Sequence, residues 1–322
     1  MDDRGLAQAR RILKDLDLFR HLKDRDLEVT RLGGLTNLVF RIDQGHQHYV
    51  LRVPGQGTEE YINRTHEARA AREAARVQVS PDVLHADPAT GVMVTRFIDN
   101  AETMSAETFK MKPGAPARAG AVFRQLHRSD AVFTFRFELF AMIDEYLKVL
   151  AGKDTELPVG YHDVVKEART VRAALNAQAL PHTACHCDPL CENFLDTGEH
   201  MWLVDWEYSG MNDPLWDLGD LSIEGGFGET QDEEMLRAYF GGEARPTDRG
   251  RMVIYKAMCD LLWTLWGLIQ HANRNPVDDF WAYALRRFER CKALMAQKSS
   301  TGFRLACWIR PHSIHNRSHI AL

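Results

Sequence analysis

Apolar residues recur at helical spacing over residues 6–19, where Leu6, Ile12, Leu13, Leu16 and Phe19 fall on one side. The period then shortens. Leu27 to Leu32 runs into Gly33-Gly34, and Leu38-Val39-Phe40-Arg41-Ile42 and Tyr49-Val50-Leu51-Arg52-Val53 flank a turn at Asp43-Gln44-Gly45. An Ala-rich charged helix is expected over 61–77. Val83-Leu84-His85-Ala86 and Val92-Met93-Val94-Thr95-Arg96-Phe97 read as two further strands around Pro88-Ala89-Thr90-Gly91. After Asp99-Asn100 the texture is helical, with helices expected over 117–128, 137–150, 161–179, 232–240, 249–271 and 276–296. One short apolar hairpin interrupts them, and no internal repeat is visible. The expected organisation is an α+β chain. Residues 1–100 form a small antiparallel-sheet lobe, and 101–297 a larger, mainly helical lobe that contains the hairpin. Residues 298–322 form a basic tail. The tail carries Lys298, Arg304, Arg310 and Arg317 without an Asp or Glu, and is expected to be disordered or loosely docked rather than a nucleic-acid arm.

A chain of 322 residues with 45% hydrophobic and 26% charged residues suits a globular enzyme of two lobes. A net charge of −5 argues against nucleic acid as the main partner. No apolar run reads as long enough to span a membrane, and Met1-Asp2-Asp3-Arg4-Gly5 lacks the order of a signal peptide, so a cytoplasmic protein with reduced thiols and no membrane insertion is expected. His182, Cys185, His186, Cys187 and Cys191 crowd together, but no C-x-x-C pair gives them the spacing of a structural zinc site. The cysteines are expected to pack as small apolar residues around the loop.

The chemistry concentrates at His186-Cys187-Asp188-Pro189-Leu190-Cys191-Glu192-Asn193 and Val204-Asp205-Trp206-Glu207, that is H-x-D-x-x-x-x-N, a hairpin, then D-W-E. Phosphoryl transfer from a nucleotide uses this set: one carboxylate orients the acceptor hydroxyl, and an Asn and a second Asp hold magnesium against the phosphates. Asn193-Phe194-Leu195-Asp196 and Met201-Trp202-Leu203-Val204 around Thr197-Gly198-Glu199 read as a hairpin bringing Asn193 and Asp205 to one metal position. Asp188 is thus the expected base, with His186 orienting the loop. Asn193 and Asp205 are the expected magnesium ligands, and Glu207 contacts the metal through water or holds a second one. The Gly-rich turn Leu32-Gly33-Gly34-Leu35-Thr36-Asn37 can bring backbone amides close to anionic oxygen, although a plain hairpin turn would look the same. Arg52 offers a permanently charged fork for phosphate, with Glu67 in the next helix as its expected ion-pair partner and Glu59, Glu60 and Glu73 as rivals.

Trp206-Glu207-Tyr208-Ser209-Gly210-Met211-Asn212-Asp213-Pro214-Leu215-Trp216-Asp217-Leu218-Gly219 resembles the choline/ethanolamine kinase family, whose pattern is D-[WF]-E-Y-[AS]-G-x-x-D-P-x-x-D-[LI]-[AG]. The likeness runs from about Gly33 to about Phe288, most of the chain. It implies a two-lobed protein-kinase-like fold and ATP and Mg2+ as cofactors. It also implies phosphate binding at Gly33, Gly34, Thr36 and Asn37, and an Asp217 that ties down the catalytic loop. Arg52 stands where protein kinases place Lys, as it often does in choline-kinase-like chains.

The resemblance also implies a substrate pocket. Trp263 and Trp266 in Cys259-Asp260-Leu261-Leu262-Trp263-Thr264-Leu265-Trp266, and Tyr283 in Tyr283-Ala284-Leu285-Arg286-Arg287-Phe288, match segments that line the family's choline pocket. A quaternary ammonium has no N–H to donate, so aromatic faces hold it, with Asp188 and Glu224 adding a negative field. Without the resemblance, two Trp at helical spacing read as core packing. The small-molecule substrate expected first is choline. Ethanolamine, an aminoglycoside, and a non-catalytic pseudokinase-like binder are the alternatives. The oligomeric state is open, a homodimer included.

Overall fold

The structure, a computed structural model, describes residues 3–33, 37–55 and 62–300. Gly34 and Thr36 of the Gly-rich turn, Glu59 and Glu60, and the tail from residue 301 lie outside the described residues.

The sheet follows from alternation. Strands β1 (Glu28–Gly33), β2 (Leu38–Gln44), β3 (Gln47–Val53), β4 (Val83–Ala86) and β5 (Met93–Arg96) make an antiparallel sheet in the order β1-β2-β3-β5-β4. Phe40 pairs with Leu51 and Ile42 with Tyr49, so one face of the central strands is continuously apolar. Helix α1 (Asp3–Asp15) covers that face with Ala9 and Leu13, and the turn after it adds Leu16 and Phe19. The apolar period outlasts the helix because all four side chains serve one core. With Leu51 and Val53 in that core, the period of two sends Arg52 to the opposite face. There helix α2 (Arg64–Arg76) starts, with Asn63 accepting from the Thr65 and His66 amides. It buries Glu67, Ala68, Ala71 and Ala74.

The chain divides into two compact units, Met1–Phe137 with His182–Arg245 and Glu138–Pro181 with Pro246–Leu322. The first unit adds to the sheet β6 (Glu102–Thr103), α3 (Ala106–Met111) and α4 (Ala115–His127). It also contains four short strands: β7 (Thr183–Cys185), β8 (Phe194–Asp196), β9 (Met201–Leu203) and β10 (Gly210–Asn212). β8 and β9 form the expected hairpin, Phe194 opposite Leu203, while β7 pairs with β10. α7 (Leu215–Glu224) and α8 (Glu229–Phe240) complete this unit. The second unit holds α5 (Leu139–Ala151), α6 (Tyr161–Ala177), α9 (Pro246–Ala272) and α10 (Phe280–Ser300). A lobe boundary near residue 100 and a tail starting at 298 are carried only by the changes of texture, and we propose them on that ground. α10 itself runs to Ser300.

One expectation is corrected. α9, at 27 residues, is long and apolar enough by composition to cross a bilayer, but 83% of its most apolar window is buried inside the structure. It is the core helix of its unit, packed on α5 and α10, and helices buried all round read as apolar as membrane spans do.

Candidate active site

The loop between β7 and β8 is tethered at nearly every peptide. Asp217, fully buried on α7, accepts the His186 amide at 2.7 Å and the Cys187 amide at 2.9 Å. Ser209 Oγ donates to the His186 carbonyl at 3.1 Å, and Trp216 Nε1 to the Cys187 carbonyl at 3.1 Å. Asn193 Nδ2 donates to the Asp188 carbonyl at 3.0 Å. These bonds hold Cys187 at a φ of +69°, a conformation that a residue with a Cβ rarely adopts. Such strain clusters where a side chain must be aimed, and the next residue is Asp188. His186 Nε2 donates to the Val204 carbonyl at 2.9 Å, and burial lowers the pKa of the imidazole, so a neutral ring braces the loop against the strand end.

The hairpin delivers the second acidic block. The Val204 amide donates to the Asn193 carbonyl at 3.0 Å, which puts Asn193 beside the residue preceding Asp205. Asp205 also has a positive φ, +67°. Trp206 is buried behind it, its Nε1 donating to Ser80 Oγ at 3.0 Å. The turn thereby sends Asp205 and Glu207 toward the open face of the sheet.

There they meet Arg52. Its Nη1 donates to Asp205 Oδ1 at 2.7 Å, and its Nη2 donates to Glu67 Oε1. Glu73, a rival partner, pairs instead with Arg76. Burial opposes the charge on Arg52, but Asp205 and Glu67 outweigh it and hold the guanidinium above its ordinary pKa. Arg64, in the first turn of α2, donates to Glu67 Oε2 at 2.8 Å and lies 3.6 Å from Glu207 Oε2. Asn37 Nδ2 donates to that Glu207 oxygen at 3.4 Å. One carboxylate oxygen each from Glu67, Asp205 and Glu207 lies within 4.8 Å of the others. Burial, then repulsion from Asp205, pushes the Glu207 carboxyl up to about 7, against the opposing pull of Arg52. Two buried polar atoms here have no hydrogen-bond partner, Arg52 Nε and Asn37 Oδ1.

Sequence reasoning missed Arg64, although an Arg three residues before a Glu on one helix is a readable ion-pair signal. It also missed His127, a lone histidine at the end of α4 with no motif around it. The cysteines pack as expected. Burial raises the pKa of Cys185 and Cys187 well above the ordinary thiol value and that of Cys191 to about 12, so all three remain thiols.

In the second unit, Trp263 and Trp266 of α9 meet α10. Trp266 makes edge contacts with Trp263 at 6.0 Å, Phe280 at 5.4 Å and Tyr283 at 5.8 Å. A Cβ on Gly267 would come within 2.8 Å of Tyr283 Cδ1, so glycine is what lets the helices approach. Arg287 stacks on the Tyr283 ring at 5.0 Å and, with Arg290, bonds the buried Asp260. Trp263, Trp266 and Tyr283 thus form one half-buried group. Glu224 ends α7 in the first unit.

A small antiparallel sheet bearing a basic residue, a helical Glu paired to it, and a tethered H-x-D loop followed by an Asp reaching back to the same base define a kinase-like phosphotransferase. Residues 28–255 match the phosphotransferase enzyme family, and the chain belongs to it. More narrowly, it belongs with the choline/ethanolamine kinases. It is 67% identical to a choline/ethanolamine kinase family protein from Mesorhizobium loti, with a TM-score of 0.83 over 90% of this chain and 95% of that one. The protein LicA of Haemophilus influenzae is 25% identical over 291 residues, 88% of this chain and 84% of LicA. The choline kinase LicA of Streptococcus pneumoniae shares the fold, with a TM-score of 0.71 at 24% identity over 90% of this chain and 99% of that one.

Proposed function

We propose that the protein transfers the terminal phosphoryl group of ATP to the hydroxyl of choline, giving phosphocholine and ADP. The observation that carries this reading is the convergence of Arg52, Glu67, Asp205 and Glu207 beside the hairpin that follows the tethered Asp188 loop. Asp188 receives the proton as the choline oxygen bonds to the γ-phosphorus and the bond to the departing diphosphate breaks. A loose transition state asks chiefly that the hydroxyl be aimed, which a loop tethered at His186, Cys187 and Asp188 can do. By the family likeness, Gly33, Gly34, Thr36 and Asn37 contact the phosphates, and Arg52, locked by Glu67, grips them. Its unpartnered buried Nε is a donor that a phosphate oxygen would satisfy.

The donor set fits magnesium. Asp205 and Glu207, with the amide oxygen of Asn193, offer only hard oxygen ligands, and a bound divalent cation would relieve the repulsion from Asp205 that adds to burial in raising the Glu207 pKa. When bound, the ion would neutralise charge on the phosphates. Trp263, Trp266 and Tyr283 offer the aromatic faces that a trimethylammonium group calls for. Choline is favoured over ethanolamine because a primary ammonium calls for hydrogen-bond acceptors more than for aromatic faces.

An ADP-release assay with choline, ethanolamine, an aminoglycoside and no acceptor tests this reading. The highest kcat/KM is expected with choline. A higher value with ethanolamine or the aminoglycoside reassigns the substrate, and no acceptor-dependent release with any of the three overturns the reaction.

A further inference from the structure

Asp217 holds the catalytic loop, but Asp217 is itself held. His127, at the end of α4 and almost fully buried, has Nε2 3.0 Å from Asp217 Oδ2 and Nδ1 3.1 Å from the Tyr239 hydroxyl on α8. Phe123 stacks on the imidazole with ring centres 5.6 Å apart and planes 12° apart, and Tyr239 meets its edge at 5.6 Å, so the ring cannot turn freely. One tautomer satisfies every group. Tyr239 O–H donates to Nδ1, Nε2–H donates to Asp217, and Asp217 accepts in turn from the His186 and Cys187 amides. Burial raises the Tyr239 phenol pKa, which keeps its hydroxyl protonated as this chain of bonds requires.

We propose that His127 is a positioning residue for phosphoryl transfer: by donating to Asp217 it fixes the carboxylate that holds the His186 and Cys187 amides, and so sets where Asp188 meets the acceptor hydroxyl. The inference rests on Asp188 being the base. Its physical logic is that of an outer-shell ligand. A buried carboxylate accepting two loop amides can still tilt, and a third donor from a ring wedged between Phe123 and Tyr239 removes that freedom. A tilt at Asp217 displaces the loop amides and, one residue on, the Asp188 carboxylate. The bonds of Arg52, Glu67 and Glu207 run to Asp205, Arg64 and Asn37, so nucleotide affinity is expected to be insensitive to His127.

The test compares two polar variants of similar size. In His127→Gln the amide nitrogen takes the place of Nε2 and keeps the bond to Asp217. In His127→Asn the amide reaches only the Nδ1 side and loses that bond. His127→Asn is expected to lower kcat roughly 10- to 100-fold with the nucleotide KM and Tm nearly unchanged, and His127→Gln to stay within roughly threefold of wild type. Full kcat in His127→Asn, equal losses in both variants, or losses that track Tm would overturn the proposal. So would stoichiometric zinc in the purified protein, since Cys185 Sγ lies with the His127 and Asp217 ligand atoms within 4.8 Å. Should either variant fail to fold, Tyr239→Phe, which removes only the far hydroxyl, carries the test: about a threefold fall in kcat is expected, and an unchanged kcat overturns it. Asp188→Asn is assayed alongside. Near-normal turnover there would refute the base itself, whereas a dead Asp188→Asn beside fully active His127→Asn would refute only the positioning role.

Discussion

The tethered loop at Asp188 and the aromatic group on α9 and α10 are held by different forces. In the loop, each peptide from His186 to Asp188 has a named hydrogen-bond partner, and the backbone at Cys187 is strained. Hydrogen bonds are directional and a missing buried one is costly, so few residue types can stand at each position. In the aromatic group, Trp263, Trp266, Phe280 and Tyr283 touch edge to face, and apolar contact leaves many solutions open. The first region is the proposed reaction centre. The second is the proposed substrate wall, and the same rings would serve equally well as helix packing. A motif therefore speaks more plainly about chemistry than about specificity.

This contrast is sharpest at Asp188. Asp188→Asn should lower turnover by roughly 10³-fold while leaving nucleotide binding intact, because it removes proton acceptance without touching the phosphate cluster. Near-normal turnover in a folded variant refutes the base. The next effect in size is expected at Asp205→Ala, which removes a proposed metal ligand and leaves Arg52 paired with Glu67. Magnesium-dependent nucleotide affinity should fall roughly 10- to 100-fold by calorimetry, and an unchanged affinity refutes the metal role.

Trp266→Ala probes the other region. Loss of one ring face at ~1–2 kcal/mol should raise the choline KM roughly tenfold, with a smaller rise for ethanolamine and none for nucleotide. Equal changes for both alcohols, or a fall in Tm as the main defect, would make these tryptophans packing residues.

The smallest effect is expected from pH. Because the folded pKa of Glu207 is raised to about 7 from an ordinary 4.5, the metal-free native state holds a proton that the unfolded chain has lost. Stability should therefore decline as pH climbs from about 4.5 through about 7. Magnesium affinity should rise over the upper part of that window, since the ligand must be deprotonated. Glu207→Gln should flatten the stability profile of the metal-free protein, and a Tm profile parallel to wild type would show that the group does not titrate there.

Much of the first sheet was legible because alternation in β2 and β3 is local and one face is fully buried. The hairpin of β8 and β9 was legible through the Thr197-Gly198-Glu199 turn between its short apolar runs. β7, β10 and α3 were not. A three-residue strand without such a turn carries too little period to read, and Gly210 finds Cys185 only through tertiary pairing. The length of α9 misled through composition, since a helix buried on every side and one immersed in lipid present the same apolar surface.

The sequence by itself determined the residue types of the reaction centre, because H-x-D-x-x-x-x-N and D-W-E lie within one hairpin's reach and hydrogen-bond chemistry restricts them. Only the tertiary structure decided how that centre is assembled. Arg52 and Asp205 are 153 positions apart, His127 and Asp217 90 apart, and Arg64 reaches Glu207 from another element. No periodicity links such positions. They meet because the sheet must bury Leu51 and Val53, which turns Arg52 outward, and because a buried carboxylate must find its donors wherever the fold supplies them.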